Sequence, residues 1–268
     1  MAQRGYINFA WGQLHYRSIN IDTDLPMLIM LHQSPLSSRN YEKLLPYLSK
    51  KLRVVAIDTP GFGSSDRLSV DWEVNDYAKM VFDCADHFNV STFNLFGRAT
   101  GSVFALEASL MNSDRIKNLI IHGIPVYSPE ERKQRLVDFA PPFKITNDGN
   151  HLEWIWSRIH DEYPWIDAEL ATNNLKDFLN SGPDFAASYR SIWRYDMPIR
   201  VNEYGKLPNR TLLIAGEKDR IGFMHERAVK LFPDASTIFL KNATDFIAEQ
   251  NPDIFANVIL NFLTNEKK

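Results

Sequence analysis

The sequence predicts an α/β protein: a mostly parallel, eight-stranded sheet flanked by helices, with a helical segment inserted late in the chain. Three observations predict it. Short continuous apolar runs, the pattern of strands covered on both faces, alternate with segments of helical spacing. The run Asn94-Leu95-Phe96-Gly97-Arg98-Ala99-Thr100-Gly101-Ser102 reads as an apolar strand that breaks at one glycine and restarts as a helix at another. From about Pro125 to Pro208 strong strand signals lapse while aromatic residues accumulate.

Taken from the N-terminus, Tyr6 to Asn20 reads as a hairpin turning at Gly12, because Gln13-Leu14-His15-Tyr16-Arg17-Ser18-Ile19 alternates polar and apolar residues. Met27-Leu28-Ile29-Met30-Leu31 and Val54-Val55-Ala56-Ile57 are runs of the buried, parallel kind. Leu95-Phe96, Leu119-Ile120-Ile121 and Leu212-Leu213-Ile214-Ala215 continue the sheet, and Thr237-Ile238-Phe239-Leu240 closes it. Helical spacing marks Tyr77 to Phe88, Ser102 to Met111 and Asp253 to Phe262. Ligands of such sheets bind outside the carboxyl ends of the strands. The expected division is a core of residues 1–124 and 209–268 around a helical cap of residues 125–208. Most of the cap's aromatics, such as Phe178, Phe185, Tyr189 and Trp193, are expected to pack it onto the core. Trp154 and Trp156 are candidates for the wall of an apolar pocket. Lys267-Lys268 reads as a frayed tail.

Composition narrows the function classes. A chain of 268 residues, 44% hydrophobic, buries one large core. A net charge of -3 gives no electrostatic reason to expect nucleic acid or an anionic membrane. The lone Cys84 cannot form an intramolecular disulfide and, inside a helical run, reads as a small buried hydrophobe; it fits a reducing compartment. No run is long enough to span a bilayer and the N-terminus has no apolar leader, so a cytoplasmic protein is expected. No metal-ligand spacing or phosphate loop appears, and no cofactor is expected. The expected partner is a small-molecule substrate or ligand, with a homodimer left open.

Five segments in order resemble the α/β-hydrolase superfamily, most of all its lidded branch of haloalkane dehalogenases, epoxide hydrolases and carbon-carbon bond hydrolases. They are His32-Gln33-Ser34-Pro35-Leu36-Ser37-Ser38, Asp58-Thr59-Pro60-Gly61-Phe62-Gly63-Ser64-Ser65-Asp66, the glycine-flanked turn, Gly216-Glu217-Lys218-Asp219, and the segment from Asn242 to Pro252. The resemblance implies the α/β-hydrolase fold, covers essentially the whole chain, and makes the turn a nucleophile elbow. It also implies a triad of elbow nucleophile, histidine and orienting acid. Laid on this chain, the nucleophile position is Ala99, the histidine position is Asp245, and the acid is Asp219. Ala99 alone would suggest an engineered serine-to-alanine change; a second departure at Asp245 points to natural loss.

The resemblance further assigns the oxyanion donors to the backbone N–H groups of Ser34 and Thr100, with His32 bracing that loop and Gln33 standing in place of the usual glycine. Arg98 has two readings, a reach towards an anionic substrate or an ion pair facing away. His122, at a strand end where some relatives carry an acid, also has two: an exchanged acid–base pair with Asp245, or a buried histidine bonded to a carbonyl or to Asp219. His160 and His225 are expected at solvent or the cap seam. Two functions therefore follow. One is an enzyme of lyase, isomerase, decarboxylase, cyclase or non-covalent hydrolytic type acting on a small carbonyl compound, with His122 or Asp245 moving a proton. The other is a catalytically inactive protein that binds a ligand or partner. The polar residues at the strand ends favour the enzyme, and mutually paired polar groups there would favour the binder.

Overall fold

The computed structural model describes residues 2–204, 207 and 210–264. The expected cap boundary at Pro208 and the tail Lys267-Lys268 lie outside the described residues. One sheet contains β1 (Gln3–Phe9), β2 (Gly12–Ile19), β3 (Met27–Leu31), β4 (Arg53–Ile57), β5 (Phe93–Arg98), β6 (Ile116–His122), β7 (Arg210–Lys218) and β8 (Ser236–Thr244). Its order is β1-β2-β4-β3-β5-β6-β7-β8. β2 pairs antiparallel with both β1 and β4, and all later neighbours are parallel. Every residue of β3 and β5 is buried, as helices on both faces require. The hairpin turns at Ala10-Trp11 rather than at Gly12 itself, because Phe9 already pairs with Gly12. Gly12 opens β2 at φ +142°, where a Cβ would lie 2.8 Å from that of Asp66.

The helices are α1 (Leu45–Leu48), α2 (Val74–His87), α3 (Thr100–Met111), α4 (Pro129–Asp138), α5 (Asn150–Glu162), α6 (Ala168–Ser181), α7 (Ala187–Arg194), α8 (Met197–Tyr204), α9 (His225–Leu231), α10 (Ile247–Gln250) and α11 (Pro252–Thr264). Strand parity sorts the core. Leu95, Leu119, Ile121 and Leu213 share a core with α2, α3 and the inserted helices α5 to α8. Phe96, Ile120, Leu212 and Ile214 face α1 and α11. Helix α3 is buried from Thr100 through Leu110, so it can carry apolar residues all round. Cys84 packs in the first of these cores, its thiol pushed up to about 12 by burial.

Arginines join the inserted helices to the core. Arg190 pairs with Asp71, Arg194 with Glu73, and Arg39 with Asp177 at 2.6 Å. Arg200 grips Glu107 of α3 through both Nε and Nη2, and the Tyr195 hydroxyl donates to the same carboxylate at 2.6 Å. Phe178, Phe185, Tyr189 and Trp193 are buried against the core, which gives these aromatics the packing role expected of them. Among the described residues, no helix is long and apolar enough to cross a membrane.

Candidate functional site

The turn between β5 and α3 keeps the geometry of an elbow. Ala99 sits at φ 48°, ψ −110°, a strained conformation for a residue with a Cβ, and is only partly buried. Its N–H donates to His122 O at 3.1 Å, and its carbonyl accepts from Ser102 N at 3.0 Å. The flanking glycines are there for space. A Cβ on Gly97 would lie 2.3 Å from Gly101 O, and one on Gly101 would lie 2.6 Å from His32 O. As the first residue of α3, Thr100 has a backbone N–H with no partner inside the helix. The apex residue nevertheless offers only a methyl group.

Opposite the apex runs the loop after β3. His32 accepts from Thr59 N at Nε2, 3.0 Å, which leaves Nδ1 as the donor to Gln33 O at 2.9 Å. Burial lowers the pKa of this imidazole, so it stays neutral and braces the loop. The Ser34 N–H, expected to face a substrate, donates instead to Thr100 Oγ1 at 2.7 Å. Thr100 Oγ1 in turn donates to Ser34 Oγ at 3.0 Å, and Ser188 Oγ reaches the same oxygen at 2.6 Å. The Tyr189 hydroxyl donates to Ser34 O. Ser188 was not singled out from the sequence, and Tyr189, also on α7, was expected only to pack; the sequence carries no signal of a contact spanning some 150 residues.

Behind the apex, strand parity turns Arg98 and His122 to the α11 side of the sheet, where they are register partners. The Arg98 guanidinium is buried and ends in an ion cluster, not at a substrate-facing surface. Its Nη2 lies 2.8 Å from Asp245 Oδ1 and 3.0 Å from Asp219 Oδ2, and Nη1 donates to His122 O at 3.2 Å. Asp245 Oδ2 accepts from Arg220 N at 2.9 Å, and Asp219 Oδ1 from Ile221 N at 2.9 Å. The two carboxylates divide the site's charge unequally. Burial and then the charge of Asp219 push Asp245 up to about 6. Burial pushes hardest on Asp219, upwards, but Arg98, His122 and the hydrogen bond from Ile221 N together hold that carboxyl below its usual range.

The exchanged His122–Asp245 pair is not formed, because Arg98 has taken Asp245. The alternative bonds of His122 to a carbonyl or to Asp219 through Nε2 are not formed either. Nε2 has no hydrogen-bond partner and lies 3.7 Å from Asp219 Oδ2, beyond hydrogen-bond reach. The ring packs between Phe96 and Phe255, and burial and then Arg98 push it down to about 3, so it is neutral at any ordinary pH. A cavity of about 10 Å³, room for roughly one water, is lined by Gln33, Asn40, Arg98, His122, Asp245 and Glu249. Asn40 Nδ2 donates to Glu249 Oε1 at 3.1 Å, and burial pushes Glu249 up to about 8.

Trp154 is 37% exposed and packs on Phe143 and Phe185, and Trp156 packs on His160 and against the core that holds Val103 and Phe104 of α3. His225 begins α9 and packs on Phe239. Among the described residues, no group of three His, Cys, Asp or Glu side chains is placed to hold a metal ion.

Residues 26–252 match the family described as alpha/beta hydrolase fold. The chain is 22% identical to the uncharacterized hydrolase YugF of Bacillus subtilis, over 93% of this chain and 92% of that one. It is 24% identical to haloalkane dehalogenase 2 of Mycobacterium tuberculosis, over 93% of this chain and 91% of the relative. Among solved structures, an enol-lactonase from Burkholderia xenovorans LB400 matches with a TM-score of 0.80 at 18% identity, over 97% of this chain and all of the other.

Proposed function

The chain belongs to the α/β-hydrolase fold family, and on that premise we propose that it is a catalytically silent member that binds a small ligand in front of Ala99, beneath the inserted helices. Covalent hydrolysis in this fold needs a nucleophile at the elbow, an imidazole to take its proton, and an acid to orient that imidazole. Here the elbow carries Ala99, the position for the imidazole carries Asp245, and the acid Asp219 is engaged by Arg98. The observation that carries the reading is the Asp219–Arg98–Asp245 cluster: the groups that would run the chemistry neutralise one another. The hydroxyls beside the elbow are engaged in the same way. Ser34 N–H, one of the two expected oxyanion donors, is bonded to Thr100, and Ser34 Oγ to Thr100 and Ser188.

A second reading, a non-covalent acid–base enzyme, draws on one observation: Asp245 at about 6 can exchange a proton near neutral pH. It is the weaker reading because both oxygens of Asp245 already accept hydrogen bonds from the protein. The test joins two measurements on the unaltered protein. Native mass spectrometry should find a non-covalently bound molecule, or reveal one from a metabolite extract. A panel of p-nitrophenyl esters should give neither a burst nor turnover above the buffer rate. Sustained turnover, or a covalent adduct anywhere near residue 99, sinks the silent-site reading.

A further inference from the structure

Building on the silent-site reading, we propose that Arg98 is the residue that locks the site: its guanidinium holds the position between Asp219 and Asp245 that an orienting acid and a catalytic imidazole would have to share. The third departure from hydrolytic chemistry then lies at position 98, beside the two at positions 99 and 245. Restoring a serine and a histidine without removing the guanidinium leaves the site inactive.

Three features of the cluster point the same way. A single nitrogen, Nη2, meets both carboxylates at 2.8 and 3.0 Å. An imidazole introduced at 245 would need its own N–H about 2.8 Å from Asp219 to be oriented, and that oxygen already has Nη2 against it. Charge adds to the steric conflict. A guanidinium stays protonated at every working pH, and after burial Arg98 is the next cause that lowers the basicity of the neighbouring His122. A second imidazole in the same place would meet the same field, which disfavours the imidazolium that must form as a serine is deprotonated. The backbone, finally, is shaped around Arg98. Gly123 follows β6 at φ +61°, and a Cβ there would lie 2.1 Å from Arg98 Nη1. The end of β6 is thus open only as far as the guanidinium fills it.

Arg98 acts through the two carboxylates and is a positioning residue, not a catalytic one. In the revived site the hydroxyl introduced by Ala99→Ser attacks the ester carbonyl and the imidazole introduced by Asp245→His takes its proton. The proton passes to the departing p-nitrophenolate, and water then hydrolyses the acyl-enzyme to the acid and the free hydroxyl.

The experiment compares Ala99→Ser/Asp245→His with the same double variant carrying Arg98→Gln, using p-nitrophenyl acetate. The triple variant should show a burst approaching one equivalent and a rate at least about 100-fold above the double variant, the scale of general-base assistance. A double variant within tenfold of the triple would overturn the proposal, and so would a folded triple variant with no gain. A readout independent of turnover is the imidazole titration by NMR in Asp245→His and in Arg98→Gln/Asp245→His. The titration midpoint should rise by at least one pH unit when the guanidinium is removed; an unchanged midpoint also overturns the proposal. Failure of the silent-site reading itself would show separately, as activity in the unaltered protein.

Discussion

Replacing Arg98 by methionine, with nothing else changed, should be among the most damaging single substitutions in this chain. Methionine preserves much of the apolar stem but removes the only cation that touches both Asp219 and Asp245 among the described residues. The lost contacts are a charge-assisted bond to Asp245, a close ion pair with Asp219 and a bond to His122 O. Hydrogen bonds to charged groups are worth roughly 1.5–3 kcal/mol each, and breaking a buried ion pair from one side costs about 3–5 kcal/mol. A loss of about 3–5 kcal/mol at pH 7 is therefore expected. It should be read by urea unfolding as a lower midpoint with an unchanged slope. The loss should also depend on pH. Without the guanidinium, both buried carboxyls have folded-state pKa values above their unfolded ones. Their contribution is then fully present below the unfolded value and lost as pH rises through the folded one. The variant should therefore recover part of its deficit at pH 5 relative to pH 8. A deficit below about 1 kcal/mol, or one that does not change between these pH values, would refute the account of the cluster.

Two further outcomes are expected. Because Asp245 is pushed up to about 6, its contribution is present at low pH and lost as pH rises through that value. The stability difference between Asp245→Asn and the unaltered protein should therefore shift in favour of the variant by up to about 3 kcal/mol between pH 4 and 7; parallel pH profiles would contradict this. Ala99→Gly relieves a residue at φ 48°, strain of order 1–3 kcal/mol, against about 0.5–1 kcal/mol for the added freedom of glycine in the unfolded chain. A net gain near 1 kcal/mol should appear as a raised Tm, and a lowered one would mean the elbow is not strained.

The fold was legible because its signals are local. Met27–Leu31 is a strand over the same residues that the apolar run marks, and Asp253 to Phe262 falls wholly within α11. The elbow was legible for the same reason, since the close approach of β5 to α3 demands glycine at 97 and 101 whatever stands between them. The site's partners were not. Arg98 is 147 residues from Asp245, and Ser188 is 154 from Ser34; only the assembled sheet brings them together. One clue was available in part. Arg98 lies two residues from Phe96 and His122 two from Ile120, so strand parity would have turned both side chains to one face and left the ion-pair reading of Arg98 as the natural one. That the Ser34 N–H would be taken by a threonine hydroxyl has no counterpart in composition or spacing, because it depends on how closely the two loops approach.

The arginines that join the inserted helices to the core have a consequence for how the molecule comes apart. Arg190, Arg194, Arg200 and Arg39 each tie one of these helices to the core, and Glu107 is buried in the helix that starts at the elbow. Detaching the insertion would leave Glu107 without its two partners, a penalty carried directly into α3. Insertion and sheet are thereby coupled into one cooperative unit, and amide protons of α7 and α8 should exchange with solvent close to the rate of global unfolding rather than by local opening.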